Sequence, residues 1–169
     1  MNIAVKPLAQ TAPSLRDAMR LVAGGVSVVT VGAGSERTGL TVTSAVSLSI
    51  DVPTMLVSVN RTASAWPVLQ KYRSFCVNFL AAEQQAVADR FAGKGGVKGT
   101  ARYEGARWQA LETGALALDG ALAAIDCRVS EFIERHSHII VLGTVEAIRL
   151  GHGAPLVYGQ GRYGAFLPA

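Results

Sequence analysis

Between residues 39 and 64, in GLTVTSAVSLSIDVPTMLVSVNRTAS, short hydroxyls and one guanidinium are spaced so that they could hold a flat anionic ligand. The odd positions Thr41, Thr43, Ala45, Ser47 and Ser49 are small and mostly hydroxylated, while the even positions Leu40, Val42, Val46, Leu48 and Ile50 are apolar. Alternation of period two predicts a strand over 39–50, with one face in a core and the other toward something polar. Ser44 puts a hydroxyl into the apolar register. A turn at Asp51-Val52-Pro53 and a second strand over 54–60 lead into Asn60-Arg61-Thr62-Ala63-Ser64, a cluster of short polar groups around one cation. Small side chains let a ligand approach the backbone closely, and a guanidinium at the end of such a wall can meet its charge. The same pattern also describes an ordinary barrel strand with a solvated face, followed by a capped helix.

Other chemistry-bearing residues are weighed the same way. The tract 93–100, GKGGVKGT, lacks the order of a nucleoside-triphosphate loop, because Gly99 separates Lys98 from Thr100 and the tract follows a helical pattern. A mobile loop that closes over a ligand suits it better. His136 and His138 share one face of a strand start, a spacing open to metal binding, but no third ligand stands near them and no metal is expected. A single histidine at the mouth of a site, or an exposed strand-end residue, are the alternatives for His138. There is no G-x-S-x-G elbow, no histidine beside Cys76 or Cys127 in sequence, and no carboxylate pair at a useful spacing. A chain without an evident acid, base or nucleophile can still catalyse if a cofactor carries the chemistry.

The elements that must position these residues read as mostly β. The 169 residues are half hydrophobic and 17% charged, enough apolar material for the core of one domain over 14–169, with a flexible N-terminal arm over 1–13. Sixteen basic residues against twelve acidic ones are scattered, with no basic stripe interleaved with aromatics, so no nucleic-acid partner is expected. No apolar run is long enough to span a bilayer, and the first residues lack an apolar leader core. Two cysteines inside strand patterns predict buried free thiols and a cytoplasmic address. A capping box at Ser14 and Asp17 opens a short amphipathic helix that stops at Gly24-Gly25. Strands are predicted over 26–31, 39–50, 54–60, 74–80, 121–133 and 138–150, with helices through Trp66–Tyr72 and over 83–92. Residues 101–118 read as irregular and the last dozen as a tail. Six strands with few crossover helices predict an antiparallel barrel with a few short flanking helices, not a doubly wound sheet.

Taken in order, these segments resemble the flavin reductase family, the NAD(P)H-dependent reductase partners of two-component flavin monooxygenases, built on a split β-barrel. LVAGGVSVVTV resembles the family's first helix-to-strand junction. GLTVTSAVSLSIDVPTMLVSVNRTAS is similar to G-x-T-x-S/T-S, S-x-S/D-P-P and N-R-S/T-x-S, and FCVNFLAAEQQAVADRFAG to F-x-V-N-x-L…A-x-x-F. LDGALAAIDCRV, HSHIIVLGTVEAI and PLVYGQGRYG resemble the later paired strands and the C-terminal P-L-x-Y-x-x-G-x-Y. The likeness runs from about Leu15 to Tyr163. The family's usual G-D-H is His136-Ser137-His138 in this chain.

The resemblance implies FMN or FAD and NADH or NADPH as ligands, with hydride passing from nicotinamide C4 to flavin N5. It places the flavin wall on Thr41, Thr43, Ser44 and Ala45, and the phosphate end on Asn60, Arg61 and Ser64. Phe91 and the loop from Gly93 would close one side, and His138 and Tyr163 would face the nicotinamide or the ring, with His138 the one catalytic candidate. It further implies a homodimer, with Trp66 and its helix or the N-terminal arm at the contact, and a separate monooxygenase that receives reduced flavin. A flavin-binding electron carrier, or an oxidase of the pyridoxamine-phosphate type, are the rival readings of the same barrel.

Overall fold

The computed structural model describes residues 13–166, so the arm expected over 1–13 lies outside the described residues except for Pro13. Ser14 caps α1 (Leu15–Leu21): its hydroxyl accepts the Asp17 N–H at 3.2 Å, and the Asp17 carboxylate accepts the Ser14 N–H at 2.9 Å. Gly24–Gly25, expected only to end that helix, is instead a two-residue strand, β1. The remaining strands are β2 (Ser27–Val31), β3 (Thr38–Val42), β4 (Val46–Ser49), β5 (Thr54–Asn60), β6 (Ser74–Phe79), β7 (Trp108–Ala110), β8 (Leu116–Leu118), β9 (Ala123–Arg135), β10 (His138–Leu150), β11 (Leu156–Gly159) and β12 (Arg162–Ala165). Two further α-helices are α2 (Ala65–Tyr72) and α3 (Gln85–Phe91).

Seven strands form one antiparallel sheet in the order β3-β2-β6-β9-β10-β5-β4. Its two edge strands, β3 and β4, are consecutive in the chain and joined only by Thr43-Ser44-Ala45. The sheet therefore curls until first and last strands meet at that junction, a barrel split along one seam. The continuous strand expected over 39–50 is thus broken in two, and the halves pair with β2 and β5 on opposite sides. Its facing inverts at the break: Leu40 and Val42 pack on the core, whereas beyond it Ala45 packs inward and Val46, Leu48 and Ile50 face out. Alternation was read correctly within each half, but a period-two pattern cannot reveal a break that resets it.

The barrel interior is filled by Val29, Val31, Val57, Val59, Phe75, Val77, Ile139 and Val141, and α2 closes one end with Ala65 and Leu69. Trp66, expected near a subunit contact, is half-buried and meets Phe132 edge-on at 5.1 Å. β2 is buried on both faces, which is why VSVVTV reads as a continuous run. Its outer face joins a second core of Val26, Val28, Leu80, Phe91, Leu118 and Leu156.

Two hairpins were not expected. β7 and β8 pair within the stretch read as irregular, and β11 and β12 pair within the supposed tail, with β11 also bonding β1. The first is held by buried side chains from distant strands. Asn78 accepts the Leu118 N–H at 2.7 Å and donates to the Leu116 carbonyl at 3.2 Å, while Thr30 donates to the same carbonyl at 2.6 Å. Both cysteines are buried free thiols; desolvation pushes Cys127 up to about 12 and Cys76 further in the same direction, so neither is a nucleophile at neutral pH.

Candidate functional site

The seam of the barrel carries the site. Thr43, Ser44 and Ala45 lie where the sheet is open, and each is held differently. The Ser44 hydroxyl donates to the Ser58 carbonyl at 3.0 Å, tying the junction to β5. Thr41 donates to the Ala88 carbonyl at 2.6 Å, which ties β3 to α3, and it lines the slot beside Thr43. Ala45 packs on the barrel core. Thr43 is exposed and its hydroxyl has no partner among the described residues.

Around Thr43 opens a slot of about 280 Å³ whose lining includes Val26, Val42, Ala92, Tyr158 and Tyr163. Tyr158 and Tyr163 are cross-strand neighbours on β11 and β12, ring centroids 5.1 Å apart, and present two aromatic surfaces to the slot. Burial and the facing Asp89 carboxylate raise the Tyr163 phenol above its ordinary value, so it keeps its proton at neutral pH. Gly24, opposite Tyr158 on β1, lines a neighbouring cavity that shares Thr43 and Tyr158 with the slot, and a side chain there would begin 3.2 Å from Thr43 Cβ. Tyr158 and Gly24 were missed by sequence reasoning, although Tyr158 stands in the same quoted motif as Tyr163.

The charged end lies along β5. Asn60 is two residues beyond Ser58, about 7 Å further along the strand. Its side-chain oxygen accepts from the Thr62 N–H at 2.9 Å and the Thr62 hydroxyl at 2.8 Å, which shapes the turn into α2. Arg61 is half-exposed and pairs with Glu134 at 3.0 Å. Such a pair contributes little to stability in water, and an anion can displace it. Ser64 sits at the N-cap of α2 with its hydroxyl accepting from Arg102 at 3.4 Å. Arg102, also missed, fastens the loop after α3 onto the β3 edge: it donates to the Gly39 carbonyl, to Thr38 Oγ1 at 3.2 Å and to the Val97 carbonyl at 3.4 Å. A lone arginine in a patternless stretch gives no sequence signal for this.

Phe91, Gly93 and His138 lie in three separate segments of the chain. Phe91 is 2% exposed in the second core; it backs the wall behind Gly39 and does not close over the slot. Gly93 does begin the loop, in a left-handed conformation at φ 78°. His138 is the first residue of β10, paired in register with Asn60, with Nδ1 2.9 Å from Ser137 Oγ. It therefore stands beside Asn60 on the seven-stranded sheet, while Tyr163 lies on the three-stranded sheet and shares the slot with Thr43 of the β3–β4 junction. Among the described residues no three His, Cys, Asp or Glu side chains converge as a metal site, and no helix is long and apolar enough to cross a membrane.

A mostly apolar slot with one free hydroxyl suits a planar ring, and a guanidinium beside a helix N-terminus suits a phosphate. The comparisons with known proteins agree with that chemistry. Residues 19–166 match the model of the flavin reductase like domain. The chain is 38% identical to FMN reductase (NADH) RutF of Enterobacter sp. (strain 638) over 91% of its length and 93% of that protein's. It is also 38% identical to FMN reductase (NADH) RutF 2 of Methylorubrum extorquens (strain PA1) over 98% and 95%. Among solved structures it resembles BorF, the flavin reductase component of a bacterial two-component tryptophan halogenase, with TM-score 0.83, 31% identity and 92% and 98% of the two chains covered. The NADH:FAD oxidoreductase SgcE6 of Streptomyces globisporus, in complex with NAD and FAD fragments, superposes with TM-score 0.82 at 31% identity, covering 91% and 92%.

Proposed function

The chain belongs to the flavin reductase-like family, and on that premise we propose that it is an NADH-dependent flavin reductase that supplies reduced flavin to a separate monooxygenase-type component. The observation that carries this reading is the mostly apolar slot at Thr43, Tyr158 and Tyr163, which no acid–base pair lines. The flavin, when bound, supplies the ring that accepts a hydride from nicotinamide. The protein's own part is alignment. Thr43, Ser44 and Ala45 form the wall beside the ring, Tyr163 faces it, and Asn60, Arg61 and Ser64 take the phosphate. Thr41 lines the same slot while its hydroxyl anchors α3, Phe91 backs the wall, and Gly93 starts the loop that Arg102 pins beside Ser64.

FMN is the expected flavin and NADH the expected nucleotide, because the two RutF relatives carry both in their names. The test is steady-state oxidation of NADH and NADPH by purified protein with added FMN or FAD, followed by absorbance. Turnover that scales with free FMN and favours NADH supports the reading. A yellow protein that leaves NADH intact would make it an electron carrier instead.

His138 serves the charged end of the flavin on this reading, since it is paired with Asn60. His138→Ala is expected to raise the KM for FMN several-fold, on the order of one lost hydrogen bond, with little change in the KM for NADH. Stopped-flow reduction that is slowed at unchanged flavin affinity would return His138 to the nicotinamide.

The protein works as a homodimer, in the cytoplasm where its two thiols stay reduced. Leu48 and Ile50 on the edge strand are 54% and 79% exposed, and Ile50 shares an open apolar cleft with Ile148 of β10. An apolar band of this kind on a sheet edge calls for cover, and a second copy buries it symmetrically. Light scattering should give twice the 17.7 kDa chain mass, and Leu48→Asp with Ile50→Asp should return it to the chain mass. A wild-type protein that stays monomeric across concentration removes this interface.

A further inference from the structure

A separate cavity of about 470 Å³ opens between the turn Gly34–Glu36, residues 99–103 and the β7–β8 hairpin. None of its lining residues lines the slot at Thr43 or the cavity beside it. Tyr103 and Trp108 make one wall, their ring centroids 5.0 Å apart and both rings against the buried Phe91. Their polar ends are already used. The Tyr103 hydroxyl donates to the Thr38 carbonyl at 2.6 Å, and the Trp108 indole N–H donates to the Tyr103 carbonyl at 2.9 Å. What these two side chains offer a ligand is therefore ring surface. Leu116 extends the apolar lining and Thr100 adds a hydroxyl. Arg37 is the one charged residue of the lining. It makes no ion pair with a described residue, and its Nε is buried with no hydrogen-bond partner among the described residues. A buried donor left unpaired costs about 1–3 kcal/mol, so this arginine calls for an acceptor. Burial raises the Tyr103 phenol and the charge on Arg37 opposes that rise, which sets the cation close to the aromatic wall.

We propose that this cavity is a second ligand site, for an aromatic carboxylate whose ring lies on Tyr103 and Trp108 and whose charge meets Arg37. Its volume is that of a small-molecule site, and an aromatic lining with one convergent charge is the usual make-up of such a site. A carboxylate presents two acceptors in one plane and fits the guanidinium side-on, at Nε and one terminal nitrogen. No carboxylate of the protein lines the cavity to compete for that fork. A single guanidinium with no second cation in the lining matches one negative charge, which favours a carboxylate over a phosphate or diphosphate. The site goes beyond the flavin reductase reading and does not depend on it, since the two ligands share no lining residue.

The probe is benzoate, titrated calorimetrically into the full chain. Wild type should bind it saturably, with a Kd below about 1 mM. Benzamide, which keeps the ring and loses the charge, and acetate, which keeps the charge and loses the ring, should each bind at least about tenfold more weakly. Arg37→Met keeps an unbranched stem without the fork and should weaken benzoate by at least about tenfold. Arg37→Lys should recover part of the affinity, because charge remains although the planar fork is gone. Nothing in the fold rests on an ion pair of Arg37, so both variants stay folded. Saturating FMN should leave the benzoate affinity within about twofold, as expected for separate sites. Benzoate binding that Arg37→Met leaves unchanged would overturn the assignment. Displacement of benzoate by FMN would overturn it too, by putting the ring in the flavin slot, and displacement by AMP would give the cavity to a nucleotide instead. A wild type with no saturable benzoate binding removes the site and leaves the reductase reading in place.

Discussion

Arg61→Ala should weaken flavin binding by about 1.5–3 kcal/mol, the usual contribution of a hydrogen bond to a charged group, which is roughly 10- to 100-fold in affinity. The sign of a companion change makes this specific. In the protein without ligand the Arg61 guanidinium meets Glu134 at 3.0 Å, and flavin phosphate has to take Arg61 from that carboxylate. Glu134→Gln should therefore tighten flavin binding, by about two- to fivefold, because the pair it breaks is half-exposed and worth at most about 1 kcal/mol. Both variants should keep their thermal stability within about 0.5 kcal/mol, as surface substitutions do. Fluorescence titration of FMN reads the effect directly. Equal affinity in wild type and Arg61→Ala would remove this arginine from the site, and weaker binding in Glu134→Gln would mean that the carboxylate orients Arg61 instead of competing for it.

A larger loss is expected at Gly39, which has no polar group to offer a ligand. A Cβ at this position would fall 2.4 Å from the Val29 carbonyl oxygen and 2.6 Å from Phe91 Cε1. Both obstacles are fixed: one is backbone of the adjacent strand, the other a buried ring wedged against Tyr103 and Trp108. Gly39→Val must push β3 off β2 or Phe91 out of its core, and overpacking of this kind costs about 3 kcal/mol or more. That is a large share of the stability of a domain this size. The same displacement detaches the Gly39 carbonyl from Arg102, so flavin affinity should fall even in the fraction that folds. Denaturant unfolding with FMN titration checks both, and a variant with wild-type midpoint would show that β3 has slack the close approach denies.

The two variants mark the boundary between what was legible and what was not. Arg61 and its neighbours were found by type and spacing, because a turn rich in Asn, Thr and Ser around one guanidinium is local chemistry carried by consecutive residues. Within each segment, strand and helix periods were likewise local, and so the barrel class, the capping box at Ser14 and the long β9–β10 pair could be read directly. The resemblance to the flavin reductases added what no period could supply, the expectation of which ligands the wall serves.

Tertiary structure decided the rest, for one physical reason: the deciding interactions join residues far apart in sequence. The break at Thr43–Ala45 is fixed by Ser44 reaching Ser58 and by the two halves pairing with different strands. The β7–β8 hairpin has a weak pattern of its own and is held by Asn78 and Thr30 from other strands. Phe91 looks like a site residue in sequence, yet packing makes it core, while Thr41 both lines the slot and anchors α3. Arg102 carries no local signature and becomes the pin between the loop, β3 and α2 only when the chain closes. The residue types determined a mostly-β chain with a wall of small hydroxyls; the closed tertiary structure determined which side chains line the slot at Thr43, because only there do β3 and β11–β12 come together.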